Sequence, residues 1–315
     1  MSFKVLVTCP PMLKQIDQFR DLFASLDIEI TTPDVVQTLS VEQLLEIVPL
    51  HDGWIIGDDP ATERVFTAGK SGKLKAAVKW GIGVDNVDFS ACKKLGIPIT
   101  NTPGMFGAEV ADLAMCYLLG LARDAFFIDR EIRKGGWPKP AGISLPGKTL
   151  GIVGLGDIGR NIAKRARAHE LNIIGWDPYA KSVPDYIKLS GVFPADVPLC
   201  DFIVFACALT EDNRHLFNES ILAVLKPGVR IVNVSRGPLI KESALLKGLT
   251  TGVISSAALD VFEVEPLDQT SEFLTHPKCI VGSHNGSNTV DAVIRASDEA
   301  VRLLDAMLKE GARNE

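Results

Sequence analysis

Thr149-Leu150-Gly151-Ile152-Val153-Gly154-Leu155-Gly156-Asp157-Ile158-Gly159 is the stretch that decides the fold. Thr149 to Val153 reads as a buried strand and Ile158 to His169 as a helix, so the glycines fall in a strand-to-helix turn. Gly-x-Gly-x-x-Gly alone is a weak signal, equally suited to a turn that binds nothing. In this setting each glycine answers a separate physical need, with a tight turn at Gly154, close approach of backbone to a pyrophosphate at Gly156, and close helix packing at Gly159. The helix start at Asp157 and Ile158 presents unpaired N–H groups to negative charge. The next strand, Asn172 to Trp176, delivers Asp177 about 20 residues further on. A carboxylate there accepts both hydroxyls of an adenosine ribose and repels a 2′-phosphate, and Pro178-Tyr179-Ala180 brings no arginine to offset it. The expected cofactor is NAD rather than NADP; the competing reading of Asp177-Pro178 is a plain turn.

Around this unit the chain alternates short β-branched runs with helical segments, the pattern of parallel βαβ units. Lys4 to Val7, Ile28 to Thr31, Gly53 to Ile56, Ala76 to Lys79 and Ile97 to Ile99 predict one sheet. Thr149 to Gly154, Asn172 to Trp176, Phe202 to Ala206, Arg230 to Val234, Ser255 to Leu259 and Cys279 to Gly282 predict a second, six-stranded one. The fold class is therefore α/β with two doubly wound parallel sheets, a Rossmann cofactor domain and a flavodoxin-like substrate domain. A helix apolar on all sides around Val110 to Leu121 must be buried. The helical tail from Thr289 to Glu310 is expected to return to the first domain. That makes the substrate domain discontinuous, 1–101 and 285–315 around a cofactor domain at 102–284, with hinges near Thr102 and His284.

Composition excludes several classes. A chain of 315 residues exceeds one ordinary core and divides naturally into two. Lys plus Arg number 33 against 39 Asp plus Glu, for a net charge of -6, so nucleic acid is not an expected partner. The apolar stretch Ala111 to Ala122 contains Asp112 and falls short of the roughly 20 residues that span a bilayer, so no membrane association is expected. Met1 to Pro10 reads as a strand rather than a signal segment. Six scattered cysteines without Cys-x-x-Cys or paired Cys/His spacing suggest reduced thiols in the cytoplasm and no metal site.

Reducing a 2-keto acid requires a cation to hold the carboxylate and polarise the ketone, a proton donor at the carbonyl oxygen, and a group to orient the donor. Arg236, His284 and Glu265 supply these types in the segments that follow the second set of strands, where ligands bind in such folds. Singly, each has a structural alternative, respectively a solvated loop arginine, a satisfied imidazole and a turn glutamate before Pro266.

The chain resembles the D-isomer-specific 2-hydroxyacid dehydrogenases over nearly its whole length, and within them the phosphoglycerate dehydrogenase branch. The resemblance rests on Gly81-Ile82-Gly83-Val84-Asp85-Asn86-Val87-Asp88, Asn101-Thr102-Pro103-Gly104, the glycine run, Asn233-Val234-Ser235-Arg236-Gly237, and Ala258 to Phe262 running on to Glu265-Pro266. It implies that Arg236 binds substrate carboxylate and carbonyl, that His284 is the acid/base and Glu265 its partner, and that Asp260 lies near the nicotinamide amide. It further implies Ile82 and Gly83 as backbone ligands of the substrate, and Cys207, Val234, Ser235 and Gly286 at the cofactor. The long helix from Ala108 to Lys134 resembles the family's dimerisation element, so a homodimer is expected.

Two departures stand out. The histidine lies in Ser283-His284-Asn285-Gly286 rather than in a Pro-His pair. Lys79 stands where phosphoglycerate-specific relatives carry arginine and is either a phosphate contact or a solvated strand end, and Gly57-Asp58-Asp59 is an acidic replacement for another basic segment of those relatives. The chain stops soon after the last helix, so a C-terminal regulatory domain is not expected. The substrate expectation is 3-phosphoglycerate or a related glycerate or glyoxylate-type acid. The alternatives are an NAD(H)-sensing, corepressor-like binding protein and an enzyme acting on a substrate without a 2-hydroxy group, such as formate.

Overall fold

The computed structural model describes residues 2–314, with side chains to residue 312. The chain folds into two compact units, one of the residues up to Phe106 together with those from Ser287 onward, the other of Gly107–Gly286.

The first unit holds β1 (Phe3–Val7), β2 (Ile28–Thr31), β3 (Gly53–Ile56), β4 (Ala76–Lys79) and β5 (Ile99–Asn101), all parallel in the order β2-β1-β3-β4-β5. β5 starts two residues later than the apolar pattern of Ile97 to Ile99 suggests. Pro98 has no N–H to donate, and it contributes only its carbonyl, to Ala77. Trp54, Phe66, Leu44 and Val65 fill one face of the sheet, each with no exposed surface. The helix Val290–Asn314 buries Val293, Ala296, Ala300, Val301, Leu304 and Leu308 within this unit. Gly53 allows the close approach: a Cβ there would lie 3.0 Å from Leu304 Cδ2. A buried Leu or Val contributes roughly 1.5–3 kcal/mol, so this one apolar stripe holds the helix firmly.

The second unit holds β6 (Thr149–Val153), β7 (Asn172–Trp176), β8 (Ile187–Leu189), β9 (Phe202–Phe205), β10 (Val229–Asn233), β11 (Ile254–Leu259) and β12 (Cys279–Val281). They are parallel in the order β12-β11-β10-β9-β6-β7-β8, so the sheet has seven strands and not six. β8 escapes sequence reading because it is a three-residue edge strand whose Lys188 and Leu189 are exposed. The strand order reverses between β6 and β9, the place where ligands bind in open parallel sheets.

The expected long helix from Ala108 to Lys134 is two helices, Gly107–Arg123 and Ala125–Arg133. Asp124 between them is left-handed (φ 51°), and the Ala122 carbonyl is taken by the Ile143 N–H at 2.8 Å. A carbonyl captured from outside and a left-handed residue together end a helix.

Candidate active site

At the reversal point the glycine run does what its spacing requires. Gly154 has φ +95°, and a Cβ on it would lie 2.6 Å from the Cys207 backbone, so the loops after β6 and β9 meet here only because this residue is glycine. A Cβ on Gly159 would lie 1.9 Å from the Gly154 carbonyl oxygen. Gly156 differs: its Cβ position faces open space, leaving room for a ligand's phosphates at the start of the helix Asp157–Ala168. The half-buried Ile158 and exposed Asp157 open that helix. The Asp157 carboxylate is turned toward Gly107, where a Cβ would lie 2.2 Å from it, so Asp157 is suited to offer its backbone N–H rather than its charge.

Asp177 sits at the end of β7, with Oδ2 accepting the Leu155 N–H at 2.8 Å and Oδ1 the Tyr179 N–H at 2.8 Å. These bonds fix the carboxylate beside the glycine loop, and each oxygen keeps a second lone pair for a ribose hydroxyl. Burial pushes the half-buried Cys207 thiol up to about 11, so it lines the loop as a neutral group. Glycine cradle, helix N-terminus and anchored carboxylate together fit a dinucleotide without a 2′-phosphate.

Arg236 follows β10 in a loop held from below. Asn233 donates its Nδ2 to the Arg236 carbonyl at 2.9 Å and accepts the Ser235 N–H on Oδ1 at 3.1 Å. Ser235 donates its hydroxyl to the Cys207 carbonyl, and Val234 is buried below. The half-buried Arg236 guanidinium touches its own loop through Nη1 to the Ser235 carbonyl, 2.9 Å. Gly237 lies flat on the next loop, since a Cβ there would fall 1.8 Å from the Phe262 carbonyl.

Glu265 and His284 come together. Glu265 Oε1 accepts the Phe262 N–H at 2.9 Å, and Oε2 meets His284 Nδ1 at 2.7 Å, both side chains about a quarter exposed. His284 has left-handed backbone (φ 55°), uncommon away from glycine and tolerated only where surroundings impose it. The surroundings here are Asp260, only 2% exposed. Its carbonyl accepts the His284 N–H at 2.7 Å, and its carboxylate accepts the N–H groups of Asn285 (3.2 Å) and Gly286 (2.9 Å) and the Tyr117 hydroxyl (3.2 Å). Burial and the Asp260 charge push the Tyr117 phenol above its usual range, so it stays a donor. Asp260 thus gathers three protein donors on its carboxylate and shapes the His284 turn.

On the first unit, Ile82 is exposed and Gly83 half-buried in the loop after β4. Lys79 is not a solvated strand end: it is 3% exposed, its Nζ paired with Asp58 Oδ1 at 3.1 Å and donating to the Trp80 carbonyl at 3.0 Å. Lys79 is the last residue of β4, paired between Ile56 of β3 and Asn101 of β5. Next to it, Asp59 is fully buried; burial raises its carboxyl, against the Leu39 N–H, Thr8 and Gly57 contacts that hold it.

Sequence reading gave no role to Asn233 or Tyr117, and it named Asp58 only as part of an acidic segment, without its pairing to Lys79. Asn233 carried one hint, as a polar residue ending an apolar strand; nothing in sequence pairs Tyr117 with Asp260. Among the described residues no group of three or more His, Cys, Asp or Glu could hold a metal, and no helix is long and apolar enough to cross a membrane.

The sequence pattern of the D-isomer specific 2-hydroxyacid dehydrogenase, NAD binding domain, matches residues 115–286. Hydroxypyruvate reductase of Thermotoga maritima is 36% identical over 309 residues, 95% of this chain and 96% of that protein. D-3-phosphoglycerate dehydrogenase of Methanocaldococcus jannaschii is 37% identical over 270 residues, 84% of this chain; the chain spans about half the length of this and the other phosphoglycerate dehydrogenases it matches, here 51%. Among solved structures, a glyoxylate reductase from Paecilomyes thermophila superposes with a TM-score of 0.84 at 28% identity, covering 98% of this chain and 96% of that one. All three carry the names of enzymes, and the binding-protein alternative gains no support from them.

Proposed function

The chain belongs to the D-isomer-specific 2-hydroxyacid dehydrogenases and is an NAD-dependent oxidoreductase, and from that premise we propose that it interconverts a short, unphosphorylated D-2-hydroxy acid with its 2-keto acid, of the hydroxypyruvate or glyoxylate type. The observation that carries the choice of substrate is the Lys79–Asp58 pair. A phosphate contact needs an accessible cation, whereas this ammonium is buried, neutralised by a carboxylate and committed to a carbonyl. A hydroxypyruvate reductase is among the relatives matched over nearly their entire length, which agrees with this choice.

In the proposed reaction Arg236 binds the substrate carboxylate and polarises the ketone. His284 is the acid/base. Its Nδ1 faces Glu265, so Nε2 is the nitrogen assigned to the substrate oxygen: it donates the proton as the keto acid is reduced and takes it back in the reverse direction. Glu265 fixes the ring and stabilises the imidazolium, as the orienting carboxylate of a catalytic triad does. NADH, when bound along Gly154, Gly156, Gly159 and Asp177, supplies the hydride to C2. Asp260 is proposed to act at the nicotinamide end through the turn it builds at Asn285 and Gly286.

The residues up to Phe106 and from Ser287 are proposed as substrate domain, and 107–286 as cofactor domain. A cytoplasmic homodimer is part of the same proposal, supported by six free thiols and by the helix Ala125–Arg133, which buries none of its residues and exposes Phe126 and Ile132. Sedimentation at micromolar concentration tests the dimer. NADH oxidation across glyoxylate, hydroxypyruvate, 3-phosphohydroxypyruvate, pyruvate and bulkier 2-keto acids tests the substrate. Preference for the phosphorylated acid contradicts the reading of Lys79, and silence across the panel contradicts the reaction.

A further inference from the structure

We propose that His215 and Glu263 are positioning residues that lock the loop of Arg236 to the loop of Glu265, a role that rests on the assignment of those two residues to the reaction. Neither takes part in the chemistry above. His215 reaches both loops at once: its backbone N–H donates to the Pro238 carbonyl at 2.7 Å, two residues past Arg236, while its Nε2 meets Glu263 Oε1, two residues before Glu265. Its carbonyl is held by Asn218 Nδ2 at 3.0 Å. His215 adopts φ 53°, left-handed backbone of the kind also seen at His284, and such a conformation persists where the surroundings over-determine it.

Glu263 extends the lock to a third segment. Its Oε2 accepts the Glu242 N–H at 3.3 Å, and its own N–H donates to Glu242 Oε1 at 2.8 Å, a reciprocal clasp to the start of the helix Glu242–Thr251. Between the two ends of this bridge the loops touch directly, Gly237 lying on the Phe262 and Glu263 backbone. Phe262 in turn donates the N–H that holds Glu265. Separation of the loops would therefore move the cation and the histidine's partner relative to each other, a displacement to which turnover is steep.

The test compares wild type with His215→Ala and His215→Gln, whose amide can still donate to Glu263. Hydrogen–deuterium exchange of peptides covering 234–243 and 260–266 is expected to quicken by about tenfold in the alanine variant and to return toward wild type in the glutamine variant. For the keto acid, kcat is expected to fall by at least about tenfold in His215→Ala and recover in His215→Gln, with Kd for NADH changed by less than about twofold. Unchanged exchange in His215→Ala overturns the lock whatever the turnover. Loosened loops with intact kcat overturn the positioning role. Wild type that reduces no keto acid strikes at the functional reading instead, while the exchange data still decide the lock.

Discussion

Gly237→Ala probes the contact on which the whole arrangement of Arg236 and Glu265 depends. A Cβ at this position would lie 1.8 Å from both the carbonyl carbon and oxygen of Phe262 and 2.4 Å from the Glu263 nitrogen, whereas real Cβ contacts essentially never fall below 3.0 Å. All three atoms are backbone, so no side-chain rotation relieves the clash, and the two loops must part by at least about 1.2 Å. A misplacement of about 1 Å can cost about 100-fold in rate. The expected result is a kcat at saturating NADH and keto acid lowered by about two orders of magnitude, with a stability loss of about 1–3 kcal/mol from the overpacked contact. Turnover is measured on protein shown folded by circular dichroism, with NADH affinity followed by its fluorescence and expected to stay within about threefold, since the glycine loop lies elsewhere in the sheet. A folded variant that turns over at the wild-type rate refutes the claim that this packing sets the catalytic geometry.

Four further outcomes follow from the same geometry. Gly156→Ala, with open space around its Cβ, should leave Tm within a degree or two yet weaken NADH binding by about tenfold or more, checked by calorimetry and titration. Asp177→Ala should weaken NADH and narrow the NADH-over-NADPH ratio of kcat/KM, because the repulsion of a 2′-phosphate goes with the carboxylate. Tyr117→Phe removes one donor from the buried Asp260 and should cost about 1–3 kcal/mol in urea unfolding. For Asp201, burial pushes the carboxyl up, but Lys226, the Thr149 N–H and Lys148 together leave it lowered, so its stabilisation is present above the ordinary carboxylate range and fades as pH falls through the lowered value. Asp201→Asn should therefore cost about 1 kcal/mol at pH 7 and progressively less below about pH 4, read from denaturation midpoints across pH.

How much was legible in sequence follows from how local each signal is. The glycine run, its strand and its helix are encoded within about twenty consecutive residues, and the parallel alternation recurs often enough to define both sheets. β5 shifted because one proline lacks an N–H, and β8 stayed hidden because three residues at a sheet edge are too few for an alternation to stand out. Arg236, Glu265 and His284 were readable as types at loop positions. The bonds to the Asp260 carboxylate, the bond from Ser235 to the Cys207 carbonyl and the bridge from His215 to Glu263 join residues far apart in the chain, which no periodicity reports. Lys79 shows the same limit: its identity suggested an ionic contact, and only its burial and its bonds to Asp58 and the Trp80 carbonyl revealed that the contact is internal.

The most direct test of the central claim is to reduce hydroxypyruvate or glyoxylate with NADH deuterated at the transferring position of C4, and to examine the product with wild type and His284→Ala. Hydroxypyruvate should yield D-glycerate with one deuterium on C2 per NADH oxidised, glyoxylate should yield singly deuterated glycolate, and turnover in His284→Ala should fall by at least about 100-fold. L-glycerate, or product without deuterium on C2, or an unimpaired His284→Ala enzyme, would contradict the account.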